Sequence, residues 1–277
     1  MTAFFVLAAL TALLVLGYLL LNRRSASTYH ASAEYWVYLP GEQLPDQNEV
    51  MTRMVAQNPY AQKGRSPIGP SEGILFSDVR LHIAIVRRSQ NAHVFRPDLF
   101  ADVDVEAEDL KALDDALSFV KVRYTSDDPL PDKRHLQFLM HAADAFAELG
   151  KGTLVFDRIA ETMYPREAFR RILQTNVDVT GPDLHLRHVW KPEPHGGSVE
   201  TRGFLKIGLK ELRTETVEAD EAMLVTAVME GVSASIWNAM AAPESVEVEA
   251  FEDRFTAFLE RTSTDHIPVR ILRIQAT

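Results

Sequence analysis

Residues 133–157 read KRHLQFLMHAADAFAELGKGTLVFD. Leu136, Met140, Ala143 and Ala147 return at helical spacing, which predicts a helix over Lys133–Leu149. Gly150 suits the position just past a helix C-terminus. Thr153–Phe156 then reads as a short strand, so a helix and a strand follow each other closely. Upstream, Val120–Tyr124 alternates as a half-buried strand does. Before it, Leu110, Leu113 and Leu117 predict a helix over Glu106–Phe119. Further out lie a strand region over Ile74–Val86 and a turn-rich stretch over residues 58–73. A short helix over Asp46–Gln57 and a strand at Tyr35–Leu39, stopped by Pro40 and Gly41, complete this side.

Downstream, Pro165 suits the first turn of a helix ending near Gln174. Gly181 and Pro182 mark a boundary. Strands at residues 184–190 and 199–217 follow, then a long helix over Asp220–Met240 carrying Leu224, Val228, Val232 and Ile236. A strand at Val246–Phe251, a short helix around Phe255, Phe258 and Leu259, and a terminal strand at Ile267–Ile274 close the chain. This irregular interleaving predicts a mixed α+β region of two packed modules, residues 34–180 and 181–277.

The N-terminus predicts something different. Ala3–Leu21 reads AFFVLAALTALLVLGYLLL, an uncharged apolar run. As a helix it would span roughly 30 Å, the thickness of a bilayer's hydrocarbon core. The expected fold class is therefore α+β behind a single N-terminal transmembrane helix, with residues 1–24 as anchor and 25–33 as tether. A cleaved signal peptide is the competing reading, and Ser25-Ala26-Ser27 resembles a cleavage site. Against it, no basic residue precedes the run, and the pair Arg23-Arg24 follows directly as a stop-transfer flank would. The same pair places residues 22–277 in the cytoplasm under the positive-inside rule, with the protein in the bacterial inner membrane. The expected lipid contact is the bilayer through residues 3–21.

The 277 residues carry 29 Lys and Arg against 39 Asp and Glu, and no cysteine. Without Arg23 and Arg24, residues 26–277 hold 27 bases against 39 acids, a net −12. Disulfide scaffolds and thiolate sites are excluded. Nucleic-acid binding through phosphate neutralisation is disfavoured, so no nucleic-acid partner is expected.

The familiar catalytic patterns do not assemble. Gly69-Pro70-Ser71-Glu72-Gly73 has the letters of a nucleophile elbow, but the apolar strand follows the serine instead of preceding it. Gly150-Lys151-Gly152 lies between a helix and a strand, the reverse of a phosphate-binding loop. His195-Gly196-Gly197 reads as a hairpin turn. His135 and His141 cannot share a helical face, and His185 and His188 fall on opposite faces of a strand. His141 and Asp144 share a face but make only a pair. Asp157 and Glu161 flank a tight turn. No catalytic residue, metal site or cofactor is assigned.

One surface is a binding candidate. If Val199–Ile207 is a strand, Arg202, Phe204 and Lys206 point away from the core, two cations around an aromatic ring in an acidic domain. Gly203 and Gly208 would let another backbone approach closely. Such a face suits an acidic protein partner or an anionic surface.

His135–Leu149, followed by Gly152 and Asp157, resembles a helix–strand element of uncharacterised bacterial α+β domains. Thr201-Arg202-Gly203 with Gly208-Leu209-Lys210-Glu211-Leu212 is similar to their second half. The resemblance covers residues 120–240 and implies a fold without an activity. The expected function is a membrane-anchored binding or scaffolding module, more a binding protein than an enzyme. The alternatives are a membrane-tethered hydrolase whose acids or histidines converge only in the fold, and an accessory subunit of an envelope complex.

Overall fold

Strands β1 (Ala31–Leu39), β2 (Val79–Arg87) and β3 (Ser118–Ser126) have nine residues each and form the centre of the first sheet. The computed structural model describes residues 30–57, 79–260 and 265–274. Short strands β4 (Leu154–Asp157) and β5 (Thr162–Pro165) complete an antiparallel sheet of order β2-β3-β1-β4-β5. The alternation of β1 sends Tyr35, Val37 and Leu39 to one face and Trp36 and Tyr38 to the other. Both faces are covered. Helices α1 (Gln47–Gln57), α2 (Arg134–Leu149) and α3 (Arg166–Thr175) lie on the first face. On the second, Tyr38, Phe95, Phe100, Leu113, Phe119 and Phe156 build an aromatic cluster, with Trp36 stacked on Phe119 at 4.5 Å.

The second sheet holds β6 (Arg187–Glu193), β7 (Gly196–Arg202), β8 (Glu211–Thr214), β9 (Ser245–Ala250), β10 (Asp253–Leu259) and β11 (His266–Arg273). Its order is β6-β7-β8-β11-β10-β9, and β8 and β11 run parallel. A parallel pair needs a crossover. Helix α4 (Ala222–Ala239), together with β9 and β10, provides it and buries Val225, Val228, Val232 and Ile236. These side chains join α2 and the first face of sheet one in a single apolar core that spans both sheets.

The expected membrane class is corrected. The structure is a mixed α+β fold with two sheets, and among the described residues no helix is long and apolar enough to cross a membrane. The expected span Ala3–Leu21 and its flank Arg23-Arg24 lie outside the described residues. The longest described helix, α4, directs its apolar stripe onto a β-sheet and exposes Glu230 on the opposite side.

Four local expectations also change. The helix predicted over Glu106–Phe119 is a single turn, Ala107–Leu110, followed by the 3-10 turn Lys111–Leu113. Phe119 is drawn into β3, where it pairs with Tyr38 and Val86. The strand predicted over residues 199–217 is interrupted by a 3-10 turn, Phe204–Ile207. The helix predicted around Phe255 is strand β10, with Phe255, Ala257 and Leu259 buried and Phe258 outward. Gly150 has an ordinary backbone at φ −85°, and the left-handed residue after α2 is Lys151 at φ 54°.

Candidate functional site

Glu211, at the start of β8, organises the turn that interrupts the predicted strand. Its carboxylate accepts from Thr201 Oγ1 (2.8 Å), Gly203 N (2.9 Å) and Leu205 N (3.4 Å). Burial pushes its pKa up, opposed by these hydrogen bonds. Gly203 adopts φ 129°, and a Cβ there would sit 2.1 Å from the His185 carbonyl oxygen. Only glycine fits this reversal. The consequence is that Phe204 and Lys206 turn inward.

The expected outward face of Arg202, Phe204 and Lys206 therefore does not form. Phe204 and Lys206 are fully buried. Arg202 is paired with Glu200 at 3.0 Å and Glu161 at 3.6 Å. The strand register that would have aligned the three ends at Arg202.

Lys206 instead enters a sealed polar node. Its Nζ is ion-paired with Asp157 Oδ2 at the end of β4. It also donates to the His185 carbonyl at 3.0 Å and lies 3.3 Å from His185 Nδ1. The Tyr35 hydroxyl on β1 reaches the same Nδ1 at 3.3 Å. His185 Nε2 is 2.7 Å from the Val179 carbonyl. A carbonyl only accepts, so Nε2 carries the proton and Nδ1 is the free acceptor. His135 Nε2 likewise donates to the Lys206 carbonyl at 2.9 Å. Asp157 Oδ1 accepts from the backbone of Ile159 and Ala160 at 3.2 and 3.1 Å.

Burial sets the protonation of this node. It lowers the His185 pKa well below the ordinary histidine value, and the Lys206 charge adds to the effect. Burial lowers Lys206, opposed by Asp157. It lowers His135 to about 4 and raises Tyr35 and Tyr164. A neutral histidine beside a lysine and a tyrosine can relay a proton. Yet Tyr35, Asp157, His185 and Lys206 are each at most 1% exposed. Tyr35 and Asp157 come from sheet one, while His185 and Lys206 come from the chain before β6 and after β7. The node thus joins the sheets. Trp237 on α4 reinforces the joint: it stacks on His185, donates to the Thr180 carbonyl at 2.8 Å, and accepts from Lys133 at its own carbonyl at 3.0 Å.

The other polar cluster lies on α2. His141 and Asp144 are buried, and among the described residues neither the Asp144 carboxylate nor His141 Nδ1 has a hydrogen-bond partner. Arg53 Nη2 is 3.9 Å from Asp144, and both Arg53 and Arg170 pair with Glu148, the latter at 2.7 Å. Guanidinium groups on two sides disfavour a metal cation here. Among the described residues no group of three or more His, Asp or Glu side chains can hold a metal ion.

An open site lies at the far end of α4. Ala222, Met223, Thr226, Ala227, Glu230 and Phe251 line a groove of about 440 Å³. Met223 is 74% and Phe251 62% exposed. Phe251 and Glu252 form the two-residue turn between β9 and β10, at φ 49° and 68°. Two successive left-handed residues favour Asn and Gly, and a phenylalanine is strained there. The alternating strands on either side of Phe251-Glu252 were the signal for this hairpin. No protein-family model matches the chain, and no curated protein or solved structure is significantly similar to it.

Proposed function

We propose that the protein is a binding module that docks a protein partner at the groove between α4 and the β9–β10 turn. The observation that carries this reading is Phe251. A non-glycine residue in the left-handed region costs roughly 1–2 kcal/mol. The ring it carries faces mostly solvent, so the fold itself gains little from it. Local strain held at an exposed aromatic beside an apolar groove is the pattern of a recognition residue. Met223 adds an adaptable apolar contact of the kind used at binding surfaces.

A hydrolytic reading would draw on the converging Asp157, His185 and Lys206. These groups are reached only by parting the two sheets, whereas the groove is open as it stands. Docking needs no such rearrangement.

The experiment is site-specific photo-cross-linking in cells. A photoreactive residue at Met223 should give one discrete adduct, absent when it is placed at the exposed Val177. The adduct should disappear in the Phe251→Asn background. Identical adducts from both positions, or none at Met223, would overturn the proposal.

A further inference from the structure

The groove's surroundings specify the chemistry of its occupant, granted that the groove docks a partner. Residues 214–253 run from β8 through α4 to the start of β10. They contain ten Asp and Glu and no Lys, Arg or His. Nine of the ten are exposed. Three of the ten are neutralised by neighbours: Glu247 and Glu249 lie 3.5 and 3.7 Å from Arg254, and Asp253 pairs with Arg273. By contrast, Glu218, Asp220, Glu221, Glu230 and Glu252 form no salt bridge among the described residues. Glu230 lines the groove, and Glu252 follows Phe251 directly.

The floor is made of small side chains. Ala222, Thr226 and Ala227 present one face of α4, with Met223 and Phe251 standing above it. Small residues let a second helix approach closely, and the two tall apolar residues give it anchors to pack between. This is the helix-in-groove mode, in which an amphipathic helix lays its apolar face into the cleft. Unpaired carboxylates around such a cleft select a positive rim on the incoming helix and repel acidic segments, nucleic acids and anionic membranes.

We infer that the groove between α4 and the β9–β10 turn takes a basic amphipathic helix of a partner protein. The apolar face of that helix contacts Met223 and Phe251. Its lysines or arginines face Glu230, Glu252 and the acidic 3-10 turn Ala219–Glu221 that leads into α4.

The test uses the full-length chain and three labelled synthetic helices with one leucine and phenylalanine spacing. Their polar faces carry lysine, glutamine or glutamate. By fluorescence anisotropy the lysine helix should bind most tightly and the glutamate helix not at all. Affinity for the lysine helix should fall about tenfold between roughly 0.05 and 0.5 M salt, because exposed charges are screened. The pair Glu230→Gln and Glu252→Gln should weaken the lysine helix several-fold and leave the glutamine helix unchanged. Met223→Ser with Phe251→Asn should weaken both, with an unaltered circular dichroism spectrum. Equal binding of the lysine and glutamine helices would overturn the basic character. Binding that survives Met223→Ser with Phe251→Asn would overturn the location. If no helix binds while the Met223 cross-link still forms, the helical occupant is wrong and the docking reading stands. If neither is seen, both fail.

Discussion

Lys206 and Phe251 each sit where their residue type is uncommon. The lysine is fully buried and the phenylalanine is mostly exposed. Around Lys206 the exception is balanced by the fold: a carboxylate, two histidines and a carbonyl surround the ammonium or its backbone. Around Phe251 nothing among the described residues balances it. A buried charge with a complete set of partners is a structural element. An exposed, strained aromatic without one is the observation on which the proposed docking rests. The difference between the two regions lies in what surrounds each residue, not in how reactive its side chain is.

The sharpest way to break this comparison is to remove Lys206. Lys206→Met leaves the Asp157 carboxylate buried without its counter-charge and should destabilise the fold by about 3–5 kcal/mol in urea unfolding. Adding Asp157→Asn, which removes the charge and keeps an acceptor for Ile159 and Ala160, should recover most of that loss. A single variant that keeps its stability would mean the node opens to solvent and is not a joint.

The pH dependence of the same node is the next test. Burial holds His135 and His185 below their ordinary value near 6.5, so the unfolded chain takes up protons first. The stability they contribute is complete above about pH 6.5. It declines as pH falls toward about 4, where His135 itself titrates in the folded state. His135→Gln should flatten the slope of unfolding free energy across that window. An unchanged slope would place the acid sensitivity elsewhere.

At the groove the expected effects are small and one has the opposite sign. Phe251→Asn should raise stability by up to roughly 1 kcal/mol, since asparagine tolerates the left-handed turn. A loss instead would show that the ring supports α4 and is no recognition residue. Met223→Ser should move stability by less than about 0.5 kcal/mol, as exposed positions do. Thermal unfolding of both variants reads these shifts.

The same contrast separates what was legible from what was not. The α2 helix, its following strand and α4 were readable because their apolar residues recur within one or two helical turns. The β10 strand was misread because Phe255, Phe258 and Leu259 also fit a helical stripe. Only the pairing of Phe255 with Val248 and Arg273 decides for a strand. The polar node left almost no local trace. Asp157 and Lys206 stand 49 positions apart, and a lysine at an alternate position of an apparent strand reads by default as solvated.

The sequence by itself determined an acidic, cysteine-free chain with interleaved helices and strands, and the base-free stretch over residues 214–253. These are sums or short-range periodicities, and neither depends on how distant segments meet. The tertiary structure alone decided that Lys206 turns inward and that Phe251 stays out. The first depends on Glu211 and the His185 carbonyl shaping the turn at Gly203. The second depends on two antiparallel strands closing through a two-residue turn beside α4. Burial is a property of the packed whole, so the fate of a single side chain is settled only when its neighbours arrive.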